Sequence, residues 1–340
     1  MTSAKNVLII GAGLSGLLAA QQLVAAGQQV TMVDKGTTVG GRLATRRLGP
    51  GHADHGAQFF TVRDELFRQA VDGWQKAGLA YIWGTGWSDG SLAETPSDGH
   101  PRYAIHGGMN ALAKYLATQL ISRGVTIHTN QRLTQLTQTA RGWSAVEEGG
   151  HAYQADAVIL TPPVPQSLAL LDKGTVPLNS VDRAALEQVT YAPCLCALFW
   201  LEGAITLPEP GAIQRPGTDI SWVADNQAKG ISPEATLITV HAGPDYSRAH
   251  YDAPDEELLA TMQASLQPFT SGRVKVHDAQ IKRWRYALPT MLHPARYLQA
   301  TDLPPLLFGG DGFGHARMEG AALSGLAMGT ALRKLLGETF

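Results

Sequence analysis

Six residues near the start of the chain, Gly11-Ala12-Gly13-Leu14-Ser15-Gly16, have the spacing G-x-G-x-x-G. In this pattern the first glycine permits a tight turn, the second lets a pyrophosphate approach the backbone, and the third lets a helix pack on a strand. A helix that begins at such a turn offers free N–H groups and a partial positive charge to phosphates. The motif therefore predicts a dinucleotide site made by Gly11, Gly13, Leu14, Ser15 and Gly16.

An acidic residue at the expected distance supports this prediction. Asp34 comes eighteen residues after Gly16, at the end of a second apolar run, and Lys35 follows it. A carboxylate here would accept hydrogen bonds from the adenosine ribose and would disfavour a 2′-phosphate. A surface aspartate in a turn is the alternative interpretation. We include Lys35 among the predicted cofactor contacts.

Two further glycine turns favour FAD over NAD. Gly40-Gly41-Arg42 follows the second apolar run, and there Arg42 could donate two hydrogen bonds to a pyrophosphate. Gly56-Ala57-Gln58-Phe59-Phe60 is a turn of small residues that leads into aromatic residues, suited to close approach of a flat ring. A solvated arginine and ordinary core packing of Phe59 and Phe60 are the alternatives. The predicted contacts from these turns are Gly41, Arg42, Ala57, Gln58 and Phe59.

A fourth glycine-rich turn lies near the end of the sequence. Phe308-Gly309-Gly310-Asp311-Gly312 ends an apolar run and precedes a long helical pattern. In flavoproteins of this architecture the aspartate contacts the ribityl chain, and the helix N terminus stabilises the anionic reduced flavin. We expect contacts from Gly310, Asp311 and Glu319, with helix capping as the alternative role of Asp311.

The elements around these motifs predict an α/β protein with an interleaved chain. Residues 6–10, 14–26 and 29–33 form a strand, a helix and a strand, while 36–56 is predicted as loop with a short helix. After Pro165 the pattern changes to mostly antiparallel strands. We predict a Rossmann-type FAD-binding domain with an inserted α+β substrate domain on a mostly antiparallel sheet. The predicted bounds are 1–80, 106–170 and 296–340 for the FAD domain, and 81–105 and 171–295 for the substrate domain.

Composition excludes several classes of protein. The 340 residues carry a formal charge of −2, which argues against a nucleic-acid partner. Cys194 and Cys196 are one residue apart, a spacing typical of small fillers in a buried strand and not of a metal site. No stretch approaches the ~20 apolar residues that span a bilayer. The sequence predicts a soluble, cytoplasmic protein with no metal and no membrane partner.

Taken together, the motifs resemble the renalase family, within the wider flavin amine oxidase-like group. The matching segments are GAGLSG, VDKG with GGR, GAQFF, TPPVPQ, HAG, RWRYALP and FGGDGFG. The resemblance implies non-covalent FAD held by Ser15, Asp34, Arg42, Gln58 and Asp311. It also implies that His241, Trp284 and Tyr286 lie near the substrate face.

The resemblance further implies an activity. Renalases oxidise dihydronicotinamide dinucleotides that carry hydride at C2 or C6 to NAD(P)⁺, and O₂ reoxidises the flavin to give H₂O₂. Hydride loss leaves an aromatic cation, so no general base is required. The substrate's phosphates would need cations, for which the sequence offers Arg63, Arg248, Arg283 and Arg285.

Two other functions stay open on the sequence. An amine oxidase or carotenoid-type FAD oxidoreductase could share this fold. An amine oxidase would want an aromatic cage and a lysine near flavin N5, for which Lys282 is a candidate. A non-catalytic flavin-fold binding protein is the third alternative, although such proteins lose the cofactor contacts that this chain keeps.

Overall fold

The computed structural model describes residues 4–91, 95–203, 205–270 and 274–337. The strands are β1 (Asn6–Ile10), β2 (Gln29–Val33), β3 (Thr45–Leu48), β4 (Gly51–Asp54), β5 (Ala80–Gly84), β6 (Arg102–Ile105), β7 (Thr126–His128), β8 (Leu133–Thr139), β9 (Gly142–Glu147), β10 (Ala152–Ala155), β11 (Ala157–Leu160), β12 (Thr190–Glu202), β13 (Ala212–Gln214), β14 (Ile220–Asp225), β15 (Thr236–Ala242), β16 (Lys275–Met291), β17 (Leu298–Gln299) and β18 (Leu306–Phe308). The helices are α1 (Leu14–Ala25), α2 (Glu65–Lys76), α3 (Met109–Ile121), α4 (Val164–Lys173), α5 (Ser180–Glu187), α6 (Pro244–Ala249), α7 (Asp255–Ala264) and α8 (Arg317–Leu335).

The chain forms two compact units, the first made of residues 1–41, 112–190 and 289–340. Its main sheet has the strand order β17-β18-β11-β1-β2-β7, and the pairs from β18 to β7 are parallel. β1 and β11 are continuous apolar runs because a parallel strand in the middle of a sheet is covered on both faces. This sheet confirms the predicted Rossmann-type domain.

Helices α1 and α8 pack together in the first unit through small residues. A Cβ at Gly325 of α8 would overlap the backbone oxygen of Ser15 in α1, and a Cβ at Gly329 would meet the backbone of Ala19. The Ser15 hydroxyl donates a hydrogen bond to the Ala321 carbonyl at 2.7 Å. Close packing therefore fixes the helix that follows the first glycine turn.

The second unit, residues 42–111 and 191–288, contains a five-stranded sheet of order β13-β14-β15-β12-β16. The pairs β13–β14, β14–β15 and β12–β15 are antiparallel, as predicted for the substrate domain. Side chains alternate between the two faces of each strand. Ile238 and Val240 pack with Leu258 and Met262 of α7, whereas the opposite face meets the β3–β4 hairpin.

The structure differs from the sequence prediction at several boundaries. Where loop with a short helix was predicted for residues 36–56, the chain forms the β3–β4 hairpin, so that prediction was wrong. Residues 42–80 and 106–111 group with the second unit, and residues 171–190 and 289–295 with the first. The hairpin belongs to the second unit because Ala53 packs with Leu198 and Leu237.

The remaining predictions about composition concern cysteines, metals and membranes. Cys194 and Cys196 are free thiols on one strand, and Cys196 is fully buried. The described residues contain no group of three side chains suited to hold a metal ion. Within the same residues, no helix combines the length and the apolar character needed to cross a bilayer.

Candidate functional site

The first glycine turn follows β1, and its backbone conformation and close packing require glycine. Gly11 has φ +100°, and a Cβ there would overlap the Thr161 hydroxyl. A Cβ at Gly16 would overlap the carbonyl oxygen of Gly11, because α1 begins directly against the turn. Gly11 and Gly16 therefore have the steric roles predicted for the motif.

Gly13 differs from Gly11 and Gly16 because a Cβ at this position would meet no atom within 4 Å. It is the N-cap of α1 and supplies no side-chain hydrogen bond to the first turn. The first N–H groups of a helix need partners from outside it. This open space at a helix N terminus fits a phosphate group. Since the Ser15 hydroxyl donates to α8, a contact from Ser15 to a phosphate would come from its backbone N–H.

Asp34 connects the turn with the end of β2. Its Oδ2 accepts a hydrogen bond from the Ala12 N–H at 2.7 Å, and its Oδ1 accepts one from the Gly36 N–H at 2.6 Å. These two bonds fix the carboxylate beside the glycine turn. Lys35 points elsewhere, since its Nζ donates to Gln166 Oε1 at 2.8 Å, and burial lowers its pKa.

The second glycine turn lies directly on the first. The Gly40 N–H donates to the Ala12 carbonyl at 2.8 Å, and a Cβ at Gly41 would lie 3.8 Å from the Gly13 Cα. Both Gly40 and Gly41 have positive φ. The fold of the first unit thus brings together Gly13, Asp34 and Gly41, as the dinucleotide prediction requires.

The glycine turn at residues 309–312 follows β18 in the same unit. Because β1, β11 and β18 are parallel neighbours, their carboxyl ends lie along one edge of the sheet. Gly310 has φ +130°, and its N–H donates to Ser324 Oγ in α8 at 2.8 Å. Asp311 and Glu319 are 7% and 5% exposed. The predicted Gly310 and Asp311 therefore lie at the sheet edge that carries Gly11, and Glu319 lies in the first turn of α8.

The other predicted cofactor residues belong to the second unit. The Ala57 N–H donates to the Arg42 carbonyl at 2.9 Å, and a Cβ at Gly56 would overlap that same carbonyl. The Arg42 Nη1 donates to the carbonyls of Tyr286 and Ala287 at 3.2 and 3.3 Å. The structure thus joins Arg42 to the small-residue turn and to Tyr286.

A buried ion pair, which the sequence did not reveal, supports this turn. Lys229 and Asp54 have fully buried side chains, and Lys229 Nζ lies 2.7 Å from Asp54 Oδ2. Lys229 also donates to the Gln58 carbonyl at 2.6 Å, and Gln58 Nε2 donates to the Asp54 carbonyl at 2.7 Å. Burial lowers the pKa of Lys229, opposed by the Asp54 carboxylate. Lys229 lies in a polar loop between β14 and β15, where no sequence signal marks it.

One buried polar atom of Gln58 can accept a hydrogen bond from a bound group. Its Oε1 has no hydrogen-bond partner within the part of the chain that the structure describes. The amide is held by its nitrogen, which bonds the carbonyls of Asp54 and Gly56. A buried acceptor without a donor costs free energy, so Gln58 is suited to receive a hydrogen bond from a bound group.

Trp284 and His241, both predicted at the substrate face, meet around His55. The His55 ring stacks on Trp284 with centroids 5.3 Å apart, and Trp284 Nε1 donates to the His55 carbonyl at 2.8 Å. Burial lowers the pKa of His55 to about 4, helped by the charges of Lys282 and Arg46. Burial likewise lowers the pKa of His241 to about 4, with His55 and Lys229 acting in the same direction. Both imidazoles are therefore neutral near pH 7.

Tyr286 contacts other residues of the second unit. Its ring meets Tyr191 edge to face at 5.7 Å, and its carbonyl accepts from Arg42. Only its backbone is thus joined to a predicted cofactor residue. His55 itself was missed in the sequence, although it directly precedes the Gly56-Ala57-Gln58 turn.

Phe59 belongs to a cluster of aromatic side chains. Its ring lies 4.9 Å from Trp87 and 5.4 Å from Trp222, and Trp83 lies 4.7 Å from Trp87. Lys229 Nζ lies 4.6 Å from the centre of the Trp83 ring, so the cluster already holds a cation of the protein. The structure therefore gives Phe59 the packing role that was its alternative interpretation.

Most of the arginines considered for substrate phosphates are engaged within the protein. Arg283 bonds Asp255 and the carbonyls of Tyr251 and Ala253, and Arg248 pairs with Asp245 at 2.8 Å. Arg285 lies over the Tyr251 ring at 4.9 Å, and Arg63 also has a partner. Lys282 is half-buried, and burial and Arg46 lower its pKa.

Comparison with known proteins supports a flavoprotein. The model of the family described as flavin containing amine oxidoreductase matches residues 83–329, and that of an NAD(P)-binding Rossmann-like domain matches residues 9–73. Renalase of Mus musculus is 24% identical over 97% of this chain and 99% of its own length. Coproporphyrinogen III oxidase of Mycobacterium bovis is 25% identical over 57% of this chain and 42% of its own.

Among solved structures, an engineered putrescine oxidase has a TM-score of 0.67 at 14% identity, with 98% of each chain covered. This likeness concerns the fold. Within the first unit, the open space at Gly13 and the fixed Asp34 fit the dinucleotide part of the FAD that such a family binds. The family model covers well over half of the chain. The protein is therefore a renalase-like, FAD-dependent oxidoreductase that belongs to the flavin-containing amine oxidoreductase family.

Proposed function

We propose that this enzyme oxidises the 2- and 6-dihydro isomers of NAD(P) to NAD(P)⁺. The observation that carries the proposal is the similarity to renalase, which extends over nearly the whole length of both chains. Bound FAD would accept the hydride at N5 and pass two electrons to O₂, which with protons gives H₂O₂. The other curated relative named above is matched over less than half of its length.

In this proposal the protein's residues bind and align the reactants. Gly11, Gly13, Gly16 and the first N–H groups of α1 would hold the pyrophosphate, together with Gly41 and Arg42. Asp34 would accept hydrogen bonds from the ribose hydroxyls of the adenosine. Asp311 and the N-terminal turn of α8, with Glu319, would hold the ribityl chain, and Ala57 and Gln58 would lie beside the flavin ring.

The proposed substrate face consists of neutral rings. His55 and His241 carry no proton charge near pH 7, because burial lowers the pKa of each to about 4. A dihydropyridine becomes an aromatic cation when it loses hydride, so the reaction needs no base to remove a proton. Neutral, flat side chains such as His55 and Trp284 suit a ring that develops positive charge.

An amine oxidase is the second candidate, and the cluster of Phe59, Trp83, Trp87 and Trp222 favours it. An aromatic cage binds an ammonium group through cation–π contact. In this protein Lys229 already lies over the Trp83 ring, and Trp83, Trp87 and Trp222 are buried. The cluster is thus explained by internal packing, and we rank the dihydronicotinamide reaction first.

Anaerobic titration of the flavin distinguishes the two candidates. Purified FAD-loaded enzyme is mixed with 2-dihydro-NAD, 6-dihydro-NAD, ordinary 4-dihydro-NAD, or a panel of primary and secondary amines, and absorbance near ~450 nm is followed. We expect rapid bleaching by the 2- or 6-isomer and none by amines. Bleaching by amines alone would replace the proposal with the second candidate, and no bleaching by either isomer would refute it.

A further inference from the structure

Arg46 and Lys282 are two cations of the second unit on the facing sides of the β3–β4 hairpin and the five-stranded sheet; Arg46 is exposed and Lys282 is half-buried. Arg46 shares one face of the hairpin with Leu48 and with Ala53, its cross-strand partner. Leu48 and Ala53 pack against the Trp284 side of the sheet. Lys282 precedes Trp284 by two residues on β16 and therefore shares its face.

Neither cation has a counter-ion among the residues that the structure describes. Among residues 4–91, 95–203, 205–270 and 274–337, neither side chain takes part in an ion pair or a hydrogen bond. Asp255, whose charge also acts on Lys282, is bound to Arg283 at 2.6 Å. Arg46 lowers the pKa of Lys282, so the two positive charges repel each other. Like charges near each other disfavour the unliganded protein and favour binding of an anion.

A stacked ring pair lies beside these cations. His55 stacks on Trp284, and the charges of both Lys282 and Arg46 act on the His55 imidazole. A flat surface next to two cations suits a ligand that combines a planar ring with an anionic group. Nucleotides have this combination, and arginine and lysine are the usual partners of their phosphates.

We propose that Arg46 and Lys282 bind the diphosphate of the nicotinamide dinucleotide substrate. This inference rests on the proposed function for the identity of the substrate. It assigns to these two residues the role for which Arg63, Arg248, Arg283 and Arg285 were the candidates in the sequence. Arg248 and Arg283 are less suited to this role because each already forms an ion pair with an aspartate of the protein.

The test measures binding of ADP-ribose to oxidised, FAD-loaded enzyme by titration calorimetry. With FAD bound, the cofactor's own ADP site is filled, so ADP-ribose reports on the substrate's diphosphate. We expect Arg46→Gln and Lys282→Gln each to weaken binding about tenfold, as loss of a charge-assisted hydrogen bond would. Arg47→Gln is the matched control, because Arg47 is exposed like Arg46 and loses the same charge, but alternates to the opposite face of β3. It should change the dissociation constant less than about twofold, because its side chain lies on the face of β3 away from Lys282 and Trp284.

A second measurement separates phosphate binding from a general effect on the site. Anaerobic flavin reduction is followed with the dihydro dinucleotide and with the corresponding dihydronicotinamide riboside, which has no phosphate. The two variants should raise the half-saturating concentration of the dinucleotide about tenfold and leave the limiting rate and the riboside unchanged. An equal loss with the riboside would overturn the inference.

Other results would also decide the matter. Unchanged affinity for ADP-ribose in both variants, an equal loss in Arg47→Gln, or no binding to wild-type enzyme would overturn the assignment. So would weakened FAD affinity with unchanged ADP-ribose binding, because the cations would then serve the cofactor. If ADP-ribose binding depends on Arg46 and Lys282 but no dihydro isomer bleaches the flavin, the inference stands and the proposed function fails.

Discussion

At the scale of single residues, the second unit contains a buried ion pair between Lys229 and Asp54. Both side chains are fully buried, and the pair bonds the Gln58 carbonyl and, through Asp54 Oδ1, the Met109 N–H at 2.8 Å. An ion pair taken out of water stabilises a protein only when hydrogen bonds satisfy its remaining atoms. In this protein such hydrogen bonds are present, and one of them joins Lys229 to the turn that contains Gln58.

Breaking this pair should be costly. We expect Lys229→Met to lower the free energy of unfolding by about 3–5 kcal/mol, because it leaves the Asp54 carboxylate buried without a cation. The double variant Lys229→Met/Asp54→Asn should lose less than the sum of the single changes. Urea denaturation followed by circular dichroism gives both numbers. Additive losses would contradict the assignment of a coupled pair.

The two histidines make stability depend on pH. Their pKa is about 4 in the folded protein and about 6.5 in an unfolded chain, so the unfolded state binds more protons between these values. Their contribution is therefore fully present above pH 6.5 and is lost as the pH falls towards 4.

We expect His55→Phe, which keeps a ring against Trp284, to reduce this loss. Thermal melting temperatures at pH 7 and pH 4.5 would be compared for wild type and variant. The exposed His52→Phe serves as the control and should leave the wild-type difference unchanged. A wild-type difference that survives in His55→Phe would show that other groups cause it.

At the scale of elements, the first glycine turn shows that its glycines serve different purposes. Gly11 and Gly16 allow β1, α1 and β11 to approach, because a Cβ at either position would overlap neighbouring atoms. Gly13 meets nothing and borders open space at the N terminus of α1. The first two are thus needed by the fold itself and the third by a ligand.

This distinction predicts different results for two alanine variants. Gly16→Ala should destabilise the protein by 2 kcal/mol or more, roughly the effect of overpacking a tight site, and should lower FAD content as a consequence. Gly13→Ala should cost less than about 1 kcal/mol of stability, as an N-cap change does, but weaken FAD binding at least tenfold. Urea denaturation of apoprotein and flavin-fluorescence titration measure the two properties.

A glycine elsewhere provides the control for these variants. Gly73 lies within α2, and a Cβ there would meet no atom within 4 Å. Gly73→Ala should raise stability by roughly 0.5–1 kcal/mol, because alanine favours the helix, and leave FAD affinity unchanged. Equal effects of Gly13→Ala and Gly16→Ala on folding would refute the separation of their roles.

At the scale of the whole molecule, the Rossmann-type unit is built from three separate segments of the chain. Residues 112–190 and 289–340 rejoin the unit that residues 1–41 begin, and they supply β11, β18 and α8 beside β1 and α1. The cofactor contacts predicted in this unit therefore come from segments about three hundred residues apart in sequence. Binding of FAD should connect these segments energetically.

Removal of the cofactor should accordingly destabilise the protein. A ligand that binds only the folded state stabilises it by about 2.7 kcal/mol at one hundred times its dissociation constant. We expect the melting temperature of apoprotein to rise steadily as FAD is added, whereas a metal chelator should leave it unchanged. A melting temperature that does not respond to FAD would contradict flavin binding by the folded chain.

The sequence by itself determined the cofactor motif, the elements around it and the fold class. Residues 6–33 could be interpreted because strand, turn, helix and acidic residue are adjacent in the chain, and local sterics give each glycine its role. The change to mostly antiparallel strands after Pro165 was also predicted from the sequence pattern. Similarity across the chain then agreed with the family that the motifs had indicated.

Only the tertiary structure decided which distant side chains meet. The pairing of Lys229 with Asp54 joins residues 175 positions apart, and the stack of His55 on Trp284 joins two elements with no shared pattern. The sequence likewise does not show that Arg283 pairs with Asp255 whereas Lys282, one residue earlier, has no ion pair within the described part of the chain. The physical reason is that burial, ion pairing and shifts in pKa depend on neighbours in space, and these follow from sheet order and strand alternation.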